Sequence, residues 1–360
     1  MRSLAYTLQF LLFLILICSC QTKKEQSDQE MMTFTDDHGR EVNFPAKPQR
    51  IIAHGPGALR LITYLNATDK IIAIEESERR RNAAYVFANI EIRELPVIGS
   101  GNSADPELVH AQKADLIICC YKTKAEVDKL QLKSATPVIF FEYGDLDTKK
   151  DIFFNTLNSL GKILDRSERA EELTNFIKSE MASFPQIQTD NSYYIGGIAY
   201  RGAHGIESTS PSYLPFKLLG IKNSAAPILK NQAGLISALE TISIDKEQII
   251  EWNPDRIYID LAGYKLSKQD LRLQSEVGYL LDAIQENEVY TLLPHIWNTV
   301  NYEHILINAA YLSETLKGST TNVSVSSIAN KYYQAFYGKD LYKEMLDLYG
   351  LGIQKLNIDE

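Results

Sequence analysis

The sequence predicts an α/β protein of two lobes, each built on a parallel sheet covered by helices. Short apolar strands alternate with helical segments along most of the chain, which is the pattern of a parallel sheet. The alternating segments form two sets, and a stretch of helical periodicity without strands lies between them. The 360 residues are also enough for two lobes that each bury a core of their own.

The first twenty residues predict export and a lipid anchor. An apolar run is unbroken over Phe10–Ile17 and is too short to span a membrane. Ser19 is small enough for cleavage after it, and Cys20 then stands in position to take a lipid. Cys18 fits less well, because a bulky isoleucine would precede that cut. We therefore predict a lipoprotein signal peptide over residues 1–19. A plain secreted protein with an incidental cysteine is the alternative.

A flexible polar tether is predicted over residues 20–32, and the N-terminal lobe over residues 33–150. The expected strands are Arg50–His54, Ile71–Glu75, Asp115–Tyr121 and Pro137–Tyr143. The expected helices are Gly57–Asn66, Asp105–Ala114 and Ala125–Ser134. The adjacent Cys119 and Cys120 would point to opposite faces of a strand, so we expect two buried thiols and no disulfide between them.

Interdomain helices are predicted over residues 151–188. Apolar residues recur there at helical spacing: Phe153, Leu157, Leu160 and Leu164. Asp165 followed by Glu168 has the pattern of a capping box, which favours two helices joined near Asp165. A helical connection of this kind resists bending, so we expect it to be rigid.

The C-terminal lobe is predicted over residues 189–318. Its expected strands are Tyr193–Tyr200, Arg256–Leu261 and Val289–Leu292. Its expected helices are Tyr213–Leu219, Lys246–Trp252, Val277–Asn287 and Tyr302–Lys317. Residues 319–360 are predicted to form a helical extension, with amphipathic segments at Ile328–Tyr337 and Leu341–Tyr349. The two sets of strands and helices predict two Rossmann-like lobes.

Charge and motifs exclude several classes of function. The formal net charge of −9 argues against binding to nucleic acid, which needs a basic surface. Gly55 and Gly57 resemble a dinucleotide loop, but Arg60 stands where its third glycine should be. The sequence has no P-loop, nucleophile elbow or HExxH motif, so we predict that the protein is not an enzyme. A lipid-anchored α/β hydrolase is the enzyme alternative.

Candidate ligand-binding residues follow the predicted strands, because open α/β sheets bind ligands beyond the carboxyl ends of their strands. Tyrosine and tryptophan offer rigid contact area, while arginine and histidine donate hydrogen bonds to anions. In the N-terminal lobe the candidates are Arg81, Tyr121 and Tyr143. In the C-terminal lobe they are Tyr200, Arg201, His204, His295, Trp297, Asn298 and Tyr302.

A different class of ligand is also compatible with these loops. His54, His204 and His295 follow three different strands and could converge on a bare transition-metal ion. The candidate surface is richer in tyrosine, tryptophan and arginine than in histidine, so the metal-ion hypothesis is the alternative.

Several segments between residues 33 and 317 resemble the type III periplasmic binding proteins of ABC importers for ferric siderophores, cobalamin and haem. These segments are Phe44–Ile52, Ala67–Ile74, Ser159–Leu164, Glu168–Leu173 and Asn253–Ile259. The resemblance implies two lobes on a rigid helical connection, a ligand cleft between them, and delivery to a permease and its ATPase subunit. It implies a ferric siderophore as cargo, with cobalamin or haem next. We expect the exported, anchored protein to be a monomer without a cofactor. Arg60 departs from the glutamate that this family often carries there.

Two glutamates are predicted to dock on the permease. Glu107 and Glu247 begin helices in the two lobes, and each lies eight residues before an aspartate, Asp115 or Asp255. In the resembling family, one acidic residue near this place on each lobe pairs with permease arginines. The alternative is that both only complement their helix N-termini.

Overall fold

The structure, a computed structural model, describes residues 30–231, 241–317 and 324–358. The predicted signal peptide, Cys20 and residues 21–29 of the tether lie outside this part of the chain. The strands are β1 (Met31–Thr35), β2 (Glu41–Pro45), β3 (Ile51–His54), β4 (Ile71–Ala73), β5 (Leu116–Cys120), β6 (Val138–Phe141), β7 (Ser192–Gly196), β8 (Ser208–Thr209), β9 (Lys222–Asn223), β10 (Ile242–Ser243), β11 (Arg256–Asp260), β12 (Val289–Leu292), β13 (Ile296–Trp297) and β14 (Thr299–Val300).

The helices are α1 (Ala58–Tyr64), α2 (Glu76–Arg79), α3 (Ala84–Ala88), α4 (Pro106–Ala111), α5 (Lys124–Ser134), α6 (Lys150–Ile163), α7 (Ser167–Ser183), α8 (Leu214–Leu219), α9 (Ile228–Asn231), α10 (Lys246–Trp252), α11 (Tyr264–Ser267), α12 (Glu276–Leu280), α13 (Asp282–Gln285), α14 (Tyr302–Leu316), α15 (Val325–Tyr337) and α16 (Tyr342–Tyr349). Short 3-10 helices span Thr68–Lys70 and Ile90–Glu94. No helix in the described ranges is long and apolar enough to cross a membrane.

The N-terminal lobe is built on a parallel sheet in the order β4-β3-β5-β6. Every residue of β3, β5 and β6 is buried, as expected for a parallel sheet covered on both faces. Successive side chains of β5 enter different cores, so that Cys119 packs in one hydrophobic cluster and Cys120 in another. Both cysteines are free and buried, which confirms the predicted thiols.

The C-terminal lobe repeats this plan with a parallel sheet in the order β12-β11-β7-β9. The predicted strands of this lobe are confirmed, although β7 ends at Gly196 and not at Tyr200. The predicted α/β architecture with two parallel sheets is therefore confirmed.

Matching aspartates fix the strand starts in the two lobes. Asp115 precedes β5, and its Oδ2 accepts a 2.9 Å hydrogen bond from the backbone N–H of Arg50, just before the neighbouring β3. Asp255 precedes β11, and its Oδ2 accepts a 2.6 Å bond from the backbone N–H of Ser192, at the start of the neighbouring β7. The repeated spacing seen in the sequence thus corresponds to one structural role in each lobe.

Helices α6 and α7 connect the lobes, and the predicted break near Asp165 is confirmed. The capping-box prediction for Asp165 and Glu168 is wrong: Asp165 has a left-handed φ of 58°, and the N-cap of α7 is Arg166, without a side-chain cap. The two helices pack closely at Gly161, where an added Cβ would lie 2.6 Å from the Cβ of Ala170. A larger residue there would force the helices apart.

Strands β1 and β2 form an antiparallel hairpin that the sequence reading missed. Because β1 begins at Met31, the predicted tether over residues 20–32 extends two residues into this strand. The turn is closed by Asp36, whose Oδ1 accepts a 2.9 Å hydrogen bond from the N–H of Arg40. Asp36 Oδ2 also accepts from the N–H of Phe140 at 3.2 Å, which attaches the hairpin to β6.

The C-terminal extension packs against both lobes. Helices α15 and α16 confirm the predicted helical segments. Arg169 on α7 donates to the carbonyl oxygen of Phe336 at 3.2 Å, and the Tyr333 hydroxyl lies 2.9 Å from Nε2 of His304 on α14. The N–H of Thr291 on β12 donates to the carbonyl of Gln354 at 2.9 Å, so the tail also covers the edge of the C-terminal sheet.

Candidate functional site

The carboxyl ends of the two parallel sheets face each other across the lobes. Tyr143 follows β6, and its hydroxyl donates to the carbonyl oxygen of Val300 at 3.3 Å. Tyr121 follows β5, and its hydroxyl lies 3.1 Å from Oγ1 of Thr299. Val300 and Thr299 belong to the segment after β12. The two lobes therefore meet where open α/β sheets bind ligands.

The segment after β12 contains a short antiparallel hairpin formed by β13 and β14. Ile296 pairs with Val300 and Trp297 pairs with Thr299, which leaves Asn298 alone at the turn. Asn298 has a φ of 67°, a left-handed conformation that asparagine tolerates better than most residues. The predicted ligand residues Trp297 and Asn298 are partly exposed on this hairpin.

Arg60 lies beneath the hairpin and is only 1% exposed. Its Nη1 donates to the carbonyl of Val300 at 2.6 Å and to the hydroxyl of Tyr143 at 3.2 Å. Its Nη2 donates to the carbonyl of Trp297 at 3.1 Å. The guanidinium also lies 4.9 Å from the centre of the Tyr85 ring. Burial acts to lower the pKa of Arg60, but the surrounding phenols and Glu303 raise it well above its usual value.

Two predicted ligand residues, Tyr143 and Tyr302, are buried and join the lobes to each other. The Tyr302 hydroxyl donates to the carbonyl oxygens of Tyr143 and Gly144, at 3.0 Å each. The two rings stack with their centres 5.2 Å apart. Contacts between the lobes therefore occupy both rings, and the role of Tyr143 and Tyr302 as ligand residues stays a prediction.

A third predicted ligand residue, His295, is also buried. It lies in the loop before the hairpin, and its backbone holds that loop in place. The backbone N–H of His295 donates to Oδ2 of Asp260 at 2.8 Å. Oδ1 of Asp260 accepts from the backbone N–H of Ala262 at 2.9 Å. Burial raises the pKa of Asp260 to about 8, and burial lowers the pKa of His295 to about 4. Asp260 therefore positions the loop, and the side chain of His295 is buried within the lobe.

The loop after β7 is the most open part of the site. Tyr200 is 51% exposed, and the guanidinium of Arg201 lies 5.3 Å from the centre of its ring. His204 is exposed, and its Nε2 lies 2.7 Å from the carbonyl oxygen of Tyr200. This loop lies at the same edge of the sheet as Asp260, because β7 and β11 are parallel neighbours. Three predicted ligand residues are thus accessible here.

Arg81 does not present a free guanidinium. Its Nε donates to Oε1 of Glu78 at 3.0 Å, and its Nη2 donates to Ser77 at 3.2 Å. Glu78 is buried and also accepts a 2.6 Å bond from the Tyr85 hydroxyl. Burial raises the pKa of Glu78, although Arg81 and Tyr85 act to lower it. The charge of Arg81 is therefore paired within its own lobe, and ligand binding by Arg81 stays a prediction.

The structure does not gather His54, His204 and His295. His54 is buried, with Nδ1 2.7 Å from Oε1 of Glu75, whereas His204 is exposed. Within the described ranges, no group of three histidine, cysteine, aspartate or glutamate residues is placed to hold a metal ion. The alternative of a three-histidine metal site is therefore wrong for this conformation.

The predicted docking residues Glu107 and Glu247 are both exposed in the first turns of α4 and α10. Asp105 caps α4 by accepting from the N–H of Glu107 at 2.8 Å. Glu247 lines a cavity of about 400 Å³ together with Glu207, Glu276 and His204. Both carboxylates are accessible to a partner, one on each lobe.

Sequence reasoning missed the buried residues that join the lobes, above all Arg60, Tyr64 and Glu303. The available signal was a charged residue inside an apolar helix: Arg60 stands between leucines in α1, every residue of which is buried. Such a residue must find hydrogen-bond acceptors inside the protein. What the sequence did not reveal is that the acceptors come from the other lobe.

A protein-family comparison matches residues 51–192 to a model described as periplasmic binding protein. No curated protein sequence matches the chain. A periplasmic solute binding protein from Veillonella parvula has the same fold, with 19% identity, 88% of this chain and 96% of that chain covered, and a TM-score of 0.65.

Two further solved structures have this fold. MolA of Haemophilus influenzae, solved with bound molybdate, is 18% identical, with 86% of this chain and 98% of that chain covered and a TM-score of 0.62. The catecholate-siderophore binding protein VctP of Vibrio cholerae is 16% identical, with 81% of this chain and 100% of that chain covered and a TM-score of 0.53. Residues 51–192 of the chain thus match the periplasmic binding protein family, and the described part of the chain has the two-lobed type III fold of such proteins.

Proposed function

We propose that the chain is a lipid-anchored binding protein that captures an iron complex and delivers it to an ABC permease. A ferric siderophore is the proposed cargo, with cobalamin or haem next. The observation that carries this proposal is the set of side chains left accessible where the lobes meet. These are Tyr121, Tyr200, Arg201, His204, Trp297 and Asn298.

The chemistry of this surface suits an organic chelate. Phenol and indole rings provide flat contact area with a polar edge, and Arg201 can donate charge-assisted hydrogen bonds to anionic oxygens. A bare metal ion would instead need several nitrogen, sulfur or carboxylate ligands around one point. His204 is an accessible histidine here, and its Nε2 is already 2.7 Å from a carbonyl oxygen.

The comparisons support this class of cargo without selecting one member. VctP, which shares the fold, is a catecholate-siderophore binding protein. MolA shares the fold and was solved with molybdate. An inorganic oxyanion is therefore the outcome that most directly competes with a ferric chelate.

The test is to identify what the protein carries. Protein purified from its own host would be examined by native mass spectrometry and metal analysis, and then titrated with a ferric tris-catecholate, a ferric trihydroxamate, haem, cobalamin and molybdate. We expect a bound mass that contains iron and saturable binding of a ferric chelate. Saturable binding of molybdate alone, without binding of any iron complex, would contradict the proposed cargo.

The proposed anchor is a lipid on Cys20, since the residues around it have the pattern of a lipoprotein cleavage site. The proposed docking groups are Glu107 and Glu247. Both are exposed in the first turn of a helix, and the two helices occupy matching places ahead of Asp115 and Asp255. Binding to the two halves of a permease requires one accessible group on each lobe, which these carboxylates supply.

A further inference from the structure

We propose that Arg60 is the positioning residue for the β13–β14 hairpin, and that it thereby sets the shape of the ligand site. This rests on the proposed function, in which Trp297 and Asn298 on the hairpin contact the cargo. Arg60 belongs to the N-terminal lobe, whereas the hairpin belongs to the C-terminal lobe. One side chain beneath the site therefore controls how the opposite lobe presents its contact residues.

The hairpin is too small to hold its own shape. Each of its strands has two residues, and its turn is the single residue Asn298. Isolated two-stranded hairpins are at best marginally stable in water. Its position must therefore come from contacts outside the hairpin.

The base of the hairpin is attached to its own lobe. Asn301 donates through Nδ2 to the carbonyl of Pro294 at 2.8 Å, and the N–H of Asn301 donates to the carbonyl of His295 at 3.1 Å. Asp260 accepts from the N–H of His295. These bonds fix where the hairpin begins and ends but not the angle at which its tip projects.

The N-terminal lobe supplies the bonds that fix this angle. Arg60 donates to Trp297 on β13 and to Val300 on β14, so a single guanidinium holds both strands. Tyr143 adds a bond to Val300, and Tyr121 adds a bond to Thr299. The planar guanidinium can donate to two separate carbonyl groups from a rigid plane, whereas a lysine ammonium is a point donor.

Arg60 is itself held firmly, which is what positioning requires. All residues of α1 are buried, and the guanidinium packs on the Tyr85 ring. A change at Arg60 would therefore release the hairpin without removing any side chain from the accessible surface of the site.

The test uses Trp297 as the reporter. The chain has two tryptophans, so a Trp252→Phe background leaves the indole of Trp297 as the only tryptophan signal. In this background Arg60→Lys should raise acrylamide quenching of Trp297 by about twofold and speed amide exchange in residues 296–300, as expected when a locally held segment opens more often. The affinity for a ferric tris-catecholate should fall about tenfold, because the ligand must then order a hairpin that has lost a charge-assisted hydrogen bond to Arg60.

The matched control is Arg169→Lys. Arg169 also donates to backbone carbonyls, those of Tyr64 at 3.0 Å and Phe336 at 3.2 Å. It thus joins the end of α1 to the C-terminal extension and donates no bond to the hairpin. It should leave Trp297 quenching and exchange in residues 296–300 unchanged, even if it lowers overall stability. If Arg60→Lys does not fold, Tyr143→Phe replaces it, and a smaller change in the same direction is expected.

The outcomes separate the two proposals. Unchanged Trp297 quenching and exchange in the folded variant would overturn the positioning role, and so would an equal response in Arg169→Lys. If Arg60→Lys loosens the hairpin but the affinity for the ferric complex stays unchanged, the hairpin does not shape the ligand site. If the parent protein binds no ferric complex while Trp297 still responds to Arg60→Lys, the positioning of the hairpin stands and the proposed cargo is wrong.

Discussion

The Tyr64 hydroxyl in the N-terminal lobe donates a 2.6 Å hydrogen bond to Oε2 of Glu303 in the C-terminal lobe. Both residues are buried, and Glu303 is 1% exposed. Burial, together with the charge of Glu303, raises the pKa of Tyr64 well above its usual value, so the phenol keeps the proton that it donates. A buried carboxylate in one lobe is thus stabilised by the other lobe, which links the lobes more specifically than apolar contact would.

Tyr64→Phe should lower the free energy of unfolding by about 1.5–3 kcal/mol, because the mutation leaves a buried charged acceptor without one of its donors. Tyr332→Phe is the control: its hydroxyl also donates to a carboxylate, that of Glu180 at 2.6 Å. Lys331 lies 2.7 Å from Glu180 and continues to satisfy it, so we expect a loss below about 1 kcal/mol. Urea unfolding measures both values, and equal losses would contradict the special role of Tyr64.

Asp260 should make stability depend on pH. Its pKa is about 8 in the folded protein and 3.8 in an ordinary setting, so the folded state binds more protons between these values and stability falls as the pH rises. The lowered pKa of His295, about 4 against 6.5, gives the opposite slope below pH 6.5. Above pH 6.5 His295 no longer contributes, so of these two groups only Asp260 changes the stability. Its effect lowers the free energy of unfolding by at most about 1.4 kcal/mol per pH unit.

The measurement is the slope of unfolding free energy against pH from 6.5 to 8 in the parent and in Asp260→Asn. Slopes are compared rather than absolute values, because asparagine has one acceptor oxygen where Asp260 uses two. The variant should show a shallower decline with rising pH. An identical slope in both proteins would show that Asp260 does not titrate in this range.

Arg201→Ala and Trp297→Ala should each weaken binding of a ferric siderophore by about 1–3 kcal/mol, the range for losing a charge-assisted hydrogen bond or a buried aromatic contact. Isothermal titration of the purified variants gives these values. Arg272→Ala is the control, since Arg272 is exposed in the same lobe but lines a different cavity. Equal affinity of Arg201→Ala and Arg272→Ala for the siderophore would show that Arg201 does not contribute to the ligand site.

Charge reversal of Glu107 and Glu247 to arginine should nearly abolish uptake of the cargo, and reversal of one should give a partial defect. Docking by complementary charge is slowed when the charge is reversed, while the fold and the ligand affinity are retained. Uptake is measured in cells that lack the native protein and express each variant at matched levels. Reversal of Glu91 and Glu286, exposed acids on the two lobes, is the control. Full uptake with both docking residues reversed would leave them as helix-terminal charges only.

Cys20→Ala should release the protein from membranes, whereas Cys18→Ala should leave it anchored, because the residue before the cut is small only for Cys20. Metabolic labelling with radioactive palmitate, followed by membrane fractionation, measures both effects. A Cys20→Ala protein that still takes up label would refute this anchor site.

The sequence alone determined the parts of the structure that depend on local pattern. Alternation of apolar strands with helices predicted two parallel sheets, and the periodicity from Phe153 onward predicted the connecting helices, because burial of one strand or one helical face depends on the residues within it. Matched spacing ahead of Asp115 and Asp255 also predicted equivalent places in the lobes. Sequence reasoning failed where cap geometry mattered, as at Asp165, since the choice of cap depends on one or two dihedral angles.

Only the tertiary structure decided which polar side chains remain open to a ligand. Tyr121 and Tyr143 both follow apolar strands of the same sheet, yet Tyr121 is 50% exposed and Tyr143 is 2% exposed. The difference comes from what the other lobe places on each ring: Val300 accepts the Tyr143 hydroxyl from 157 residues away in the chain, and Tyr302 stacks on its ring. Arg60 is buried for the same reason, because its acceptors at Trp297 and Val300 exist only once the lobes have met. Exposure at a lobe interface depends on distant partners, and local pattern carries no information about them.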